Sequence, residues 1–88
     1  MNMKFINIGY GNVIQANRII AIIKPHSASS KRLINNAKES SLLIKATQGK
    51  ETRGIIITDS NHVILTAVQP ETIVQRLSSL RDNKLEKI

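Results

Sequence analysis

Hydrophobic residues in the first third of the chain fall in short, β-branched runs at positions 5–8, 13–15 and 19–24. Branched aliphatic side chains favour extended backbone, so each run predicts a β-strand. Gly-Tyr-Gly-Asn at 9–12 predicts a turn, because Gly and Asn tolerate positive φ. Pro25 ends the third strand, since proline has no N–H to donate to a neighbouring strand.

The segment after Pro25 has helical spacing instead. Ser27 or Ser29 is a suitable N-cap for it. One face carries Leu33, Ile34, Ala37 and Ser41, and the opposite face carries Lys31, Asn35 and Lys38. This pattern predicts an amphipathic helix with one side in the core and the other side polar and basic.

Three more strands and a second helix complete the predicted fold. A strand is expected at 42–47, a turn at 48–51, and a hairpin from 52–58 to 62–67 joined by Asp-Ser-Asn at 59–61. The last helix opens at Pro70 and Glu71, and its apolar stripe is Ile73, Val74, Leu77 and Leu80. The fold class is therefore α+β, a small mixed or antiparallel β-sheet domain with two helices.

The predicted domain spans residues 1–81, and the charged segment 82–88 is expected to be a flexible C-terminal tail. An 88-residue chain has room for one small domain. The chain has no cysteine, so it offers neither a disulfide nor a thiolate metal site. No stretch approaches the roughly 18 apolar residues of a membrane span. We therefore expect a cytoplasmic protein with no membrane partner.

Two of the predicted strands, 19–23 and 55–57, are apolar at consecutive positions. A strand of that kind needs both faces covered, and a domain this small has little material with which to cover them. Uncovered apolar area marks a protein interface. We therefore predict a homo-oligomer. The alternative is a central strand enclosed between the two helices of one protomer.

The net charge of +7 is unevenly distributed. Nine basic and two acidic residues lie before position 59, whereas four of each lie from Asp59 onward. The whole excess therefore belongs to the first two-thirds of the chain. Such an excess favours a polyanionic partner. An anionic membrane surface, or a simple contribution to solubility, would also account for it.

No set of residues in the chain makes up a catalytic or metal site. His26 and His62 lie far apart without a ligand-spaced partner. Asp59 and Glu71 are better explained as a turn former and a helix N-terminal acid. Gly9-Tyr10-Gly11 lacks the further glycine and the Lys-Ser/Thr of a phosphate loop. We expect no enzymatic activity, no cofactor and no small-molecule substrate.

Basic residues instead mark three separate segments and would form a phosphate-binding band if they converged on one surface. The candidate DNA-binding residues are Arg18, Lys31, Arg32, Lys50 and Arg53. The chain has two aromatic residues, too few for the stacking platform of a single-strand binder. Three strands separate the two helices, which excludes a helix-turn-helix. Double-stranded DNA held through its backbone and shape is the predicted partner.

Several segments of the chain resemble the RemA family of bacterial extracellular-matrix regulators over residues 4–77. They are Asn-Ile-Gly-Tyr-Gly-Asn at 7–12, Arg18, Lys24-Pro25, Asp-Ser-Asn-His-Val-Ile-Leu at 59–65, and Ala-Val-Gln-Pro-Glu-Thr at 67–72. The resemblance implies a fold related to the LytTR DNA-binding domain, assembled into a ring-shaped homo-oligomer. It also implies regulation of biofilm matrix genes.

For the site, the resemblance implies DNA binding by the segments that match 17–18 and 49–53. Arg18 matches the family's arginine, and Lys50 keeps the charge without the bidentate fork of arginine. Glu51 departs from the family, whose members tend to carry a second basic residue there. Arg53 or Lys45 would have to compensate for this acid.

The leading hypothesis is a non-enzymatic transcriptional regulator that holds or wraps duplex DNA on an oligomeric ring with low sequence specificity. It would be associated with the nucleoid. The main alternative is an oligomeric protein–protein adaptor without significant DNA binding. Binding of structured RNA through its phosphates is a third hypothesis, and an enzyme is the last.

Overall fold

In a computed structural model the backbone of residues 4–85 and the side chains of residues 4–80 are described. The strands are β1 (Phe5–Gly9), β2 (Asn12–Gln15), β3 (Ile19–Ile23), β4 (Leu43–Ala46), β5 (Gly54–Thr58) and β6 (Val63–Thr66). The helices are α1 (Ala28–Glu39) and α2 (Pro70–Leu85), and a 3-10 turn (Ala16–Arg18) links β2 to β3. The predicted α+β class, with two helices and a mixed sheet, is confirmed.

The predicted flexible tail at 82–88 falls partly outside this description. The backbone of α2 continues as helix to Leu85, and residues 86–88 lie outside the described residues. Within residues 4–85, neither α1 nor α2 combines the length and the apolar character that a membrane span requires.

The main sheet has four strands in the order β3-β5-β6-β4. Antiparallel pairing joins β3 to β5 and β5 to β6, whereas β4 runs parallel to β6. The first two strands form a separate antiparallel hairpin. This order places β5 and β6 in the centre of the sheet and makes β3 and β4 its edges.

The sheet is covered on both faces. On one face, the β1–β2 hairpin and α2 enclose a cluster that includes Ile6, Ile14, Ile56 and Ile73. On the other, α1 encloses a cluster that includes Ala37, Ile55, Val63 and Leu65. The hydroxyl of Thr66 ties the hairpin to the sheet by donating to the carbonyl of Ile8 at 2.6 Å.

This layering corrects the expectation of assembly for the 55–57 run. Ile55 and Ile56 are fully buried on opposite faces of β5 within one protomer. The enclosed central strand, the alternative given above, is therefore what the structure has at β5, and the homo-oligomer stays a prediction. The two helices and the N-terminal hairpin together provide more cover than the count of helices suggested.

The 19–23 run differs, because β3 is an edge strand with a bulge. Ile19 pairs with Thr58 and Ala21 with Ile57, so Ile20 is an extra residue on β3. A bulge of this kind re-aims the side chain at the inserted position. Ile20 is 65% exposed. Apolar area at this edge thus remains available for a contact.

Candidate functional site

Arg18 ends the 3-10 turn and is held by the start of the β5–β6 turn. Its carbonyl accepts a hydrogen bond from the backbone N–H of Asp59 at 3.0 Å. Its Nε donates to Oδ1 of Asp59 at 2.7 Å. Both side chains are about half exposed, so the ion pair itself contributes only about 0.2–1 kcal/mol. The predicted position of Arg18 at a strand boundary is confirmed.

A chain of hydrogen bonds stiffens the same turn. The Thr58 hydroxyl lies 2.9 Å from that of Ser60, which lies 2.7 Å from Nδ1 of His62. The backbone N–H of His62 donates to the Thr58 hydroxyl at 3.2 Å, and that of Asn61 donates to the Thr58 carbonyl at 3.0 Å. The ring of His62 is thus engaged within its own turn.

The segment that carries Lys50 and Arg53 connects β4 to β5. Lys50 follows Gly49, whose φ of 76° favours glycine. The backbone N–H of Lys50 donates to the Thr47 carbonyl at 2.9 Å. Arg53 immediately precedes β5, and its N–H donates to the Thr66 carbonyl at 2.8 Å. Both side chains are exposed.

Lys31 and Arg32 lie in the N-terminal half of α1. The helix begins there because Ser27 accepts a hydrogen bond from the N–H of Ser30, whose hydroxyl in turn accepts from the N–H of Ser27. The helix begins five residues after β3 ends, which keeps its first turn toward that end of the sheet. Lys31 and Arg32 are both exposed.

Four of the five candidate residues therefore lie toward one end of the sheet, and Arg18 lies at the other. Arg53 precedes β5 and Asp59, the partner of Arg18, follows it. Six residues of extended chain separate these positions by about 20 Å. One protomer thus does not join all five into one continuous band.

Glu51 lies among these basic residues and lowers their effective charge. Its carboxylate is 3.7 Å from Nη2 of Arg53 and 3.8 Å from Nε2 of His26. Among the described side chains, no carboxylate lies within 4 Å of the cationic groups of Lys31, Arg32 or Lys50. We call the end of the sheet that carries Lys31, Arg32, Lys50 and Arg53 the basic end.

A cleft of about 500 Å³ beside Lys50 adds further polar residues to this end of the sheet, among them Lys45, one of the two residues expected to compensate for Glu51. Its polar lining is Asn12, Lys45, Thr47, Gln48, Lys50 and Thr52, and it contains no acidic side chain. Lys45 lies on the edge strand β4, and the turn that follows this strand brings Lys50 to the same cleft. Within residues 4–80, no cluster of three His, Cys, Asp or Glu residues could hold a metal.

Known proteins resemble this chain over nearly all of its length. Residues 5–77 match the model of the RemA-like family, described as extracellular matrix regulatory protein A-like. A provisionally named regulatory protein of Halalkalibacterium halodurans is 58% identical over 93% of this chain and 94% of its own. A similarly named protein of Alkaliphilus metalliredigens is 56% identical over 96% of this chain and 90% of its own. Another, from Clostridium novyi, is 52% identical over 100% of this chain and 98% of its own.

Proposed function

This chain belongs to the RemA-like family, and from that premise we propose that it is a non-enzymatic transcriptional regulator that binds the backbone of double-stranded DNA. The observation that carries the proposal is the basic end, where Lys31, Arg32 and Lys50 have no carboxylate partner among the described side chains. We propose that these cations contact phosphates, and contacts to phosphates carry no sequence information. Low sequence specificity follows.

We further propose that protomers assemble into a ring-like homo-oligomer with a LytTR-related protomer fold. Arg18 and the basic end lie about 20 Å apart along β5, which corresponds to about six base pairs at 3.4 Å of rise. The two regions therefore serve different phosphates of one duplex. Repetition around a ring would multiply such weak contacts through effective concentration and favour bending or wrapping of DNA. The regulated genes would be those of the extracellular matrix, in the cytoplasm at the nucleoid.

The test is fluorescence anisotropy with a duplex of about 40 base pairs, roughly four helical turns, at several salt concentrations. We expect tight binding that weakens steeply with log salt, by a slope of about 0.9 per neutralised phosphate. Duplex RNA and single-stranded DNA of equal length serve as competitors and should compete poorly. A well-folded oligomer that binds no DNA, or whose binding does not change with salt, would refute the proposal and support the adaptor alternative. In that case the exposed Ile20 would contribute to the contact with a protein partner.

Replacement of Glu51 by Gln is expected to tighten DNA binding by roughly twofold to fivefold, because it releases Arg53 from an exposed ion pair. The salt slope should also steepen as a further cation becomes available. Anisotropy titrations at matched salt measure both quantities. Glu39→Gln is the control, since Glu39 ends α1 away from the basic end and its replacement should change affinity little. Equal tightening by both variants would show a general charge effect and would contradict a role for Arg53.

A further inference from the structure

The Arg18–Asp59 pair uses only part of the guanidinium. We propose that Asp59 is a positioning residue: its carboxylate holds the Nε–H of Arg18, so that the two terminal NH2 groups of the guanidinium face one DNA phosphate. This inference rests on the proposed function. The hydrogen bond joins Nε to Oδ1 at 2.7 Å. Arginine has five N–H donors in a rigid fork, so the edge formed by Nη1 and Nη2 remains for a bidentate contact with phosphate.

Asp59 is well placed for this task because its own backbone is fixed. Its N–H donates to the carbonyl of the same Arg18 at 3.0 Å, so the two residues are joined through main chain and side chain together. The hydrogen-bonded network of Thr58, Ser60 and His62 stiffens the turn on which Asp59 lies. A half-exposed arginine would otherwise have to be ordered at the moment of binding.

A positioning role for Asp59 and simple repulsion of phosphate predict opposite changes in DNA affinity when the Asp59 carboxylate is removed. A carboxylate beside a DNA-binding surface repels phosphate, so an Asp59 that is merely a nearby charge would weaken binding and its removal would tighten it. An Asp59 that positions Arg18 has the opposite effect. Removal of its carboxylate then weakens binding, and only when Arg18 is present to be positioned.

The experiment is a double-mutant cycle of Asp59→Ala and Arg18→Ala, measured by anisotropy with the 40-base-pair duplex at fixed salt. We expect Asp59→Ala to weaken binding roughly twofold to fivefold in the Arg18 protein. In the Arg18→Ala protein the same change should leave binding unaltered or tighten it. Unchanged or tighter binding in both backgrounds would overturn the proposal. So would equal weakening in both, which would indicate a structural role of Asp59.

A measurement without DNA separates failure of this inference from failure of the proposed function. In proton–nitrogen NMR spectra of the free protein, the Arg18 Nε–H should be protected from exchange in the wild type and lose that protection in Asp59→Ala. Equal exchange in the two proteins would overturn the positioning role whatever the protein binds. If the wild type shows the protection but binds no DNA, the proposed function fails instead.

If Asp59→Ala does not fold, a second variant, Arg18→Lys, tests the proposal. Arg18→Lys keeps the positive charge but has one ammonium group in place of the fork. Lysine can serve either Asp59 or phosphate with good geometry, so affinity should fall at least as far as in Asp59→Ala but less than in Arg18→Ala. Wild-type affinity in Arg18→Lys would show that charge alone suffices and would overturn the proposal.

Discussion

Alanine at position 18 is expected to weaken binding of duplex DNA by at least tenfold and to leave the fold intact. A hydrogen bond to a charged group is worth about 1.5–3 kcal/mol, which corresponds to roughly tenfold to more than a hundredfold in affinity. In an oligomer every protomer lacks the same hydrogen bond, so the total effect exceeds that of one site. Anisotropy at several salt concentrations measures it, and the slope against log salt should fall by about 1 for each phosphate that is no longer neutralised.

A loss of DNA affinity in Arg18→Ala can be assigned to the missing arginine only if the variant has the stability and the oligomeric state of the wild type. The Arg18–Asp59 pair is half exposed and contributes only about 0.2–1 kcal/mol, so the melting temperature should change little. Lys38→Ala is the matched control, because Lys38 is an exposed cation in the last turn of α1 and outside the proposed site. An equal decrease of affinity in the two variants would mean that net charge, and not Arg18, governs binding. Light scattering should give the same mass for all three proteins.

The strands and helices could be predicted from the sequence because their signals are local. Pro25 stops β3 by lacking an N–H, Ser27 caps α1, and Pro70 opens α2. The Asp-Ser-Asn segment at 59–61 lies in the connection from β5 to β6 as expected, although the connection also includes His62. Each of these outcomes depends on a few neighbouring residues, and tertiary packing did not override them.

The packing of the strands could not be predicted in the same way. The apolar run at Ile55 and Ile56 is compatible with an interface and with an enclosed strand, and only the positions of α1, α2 and the first hairpin decide between them. The bulge at Ile20 depends on a register between strands that are distant in sequence. Hydrophobic spacing identifies such segments but does not show what covers them.

For the candidate site, the sequence identified candidate cations but not their partners. Arg18 and Asp59 are 41 positions apart, and no spacing rule connects them. Arg53 or Lys45 was expected to compensate for Glu51, but the Glu51 carboxylate lies 3.7 Å from the Arg53 guanidinium, so the acid pairs with one of these two cations. Lys45 and Lys50 line one cleft because the turn that contains Lys50 directly follows β4, and the N–H of Lys50 donates to the carbonyl of Thr47 at 2.9 Å. Charge counting therefore overestimates the number of available cations.

Replacement of Ile56 by alanine is expected to lower the free energy of unfolding by about 2–5 kcal/mol, more than any other substitution proposed for this protein. Ile56 is fully buried at the centre of β5, within the cluster beneath the first hairpin and α2. Removal of its methyl and methylene groups forfeits transfer free energy and leaves a cavity that the surrounding isoleucines fill only in part. A domain of this size has a total stability of the order of 5–15 kcal/mol. A decrease of about 3 kcal/mol would lower the melting temperature by about 12–24 °C.

Ile44→Ala is the matched control for this prediction. Ile44 lies in the same row of the sheet, since Ile56 pairs with Ile64 and Ile64 pairs with Ile44, but it is on the edge strand β4 and is 45% exposed. The same substitution there should cost no more than about 1 kcal/mol, because much of the side chain already contacts water. Urea unfolding of both variants gives the comparison, with unchanged m-values as the check that the same surface unfolds. Equal decreases would mean that Ile44 is covered in solution, and a small decrease at both would contradict the enclosed position of Ile56.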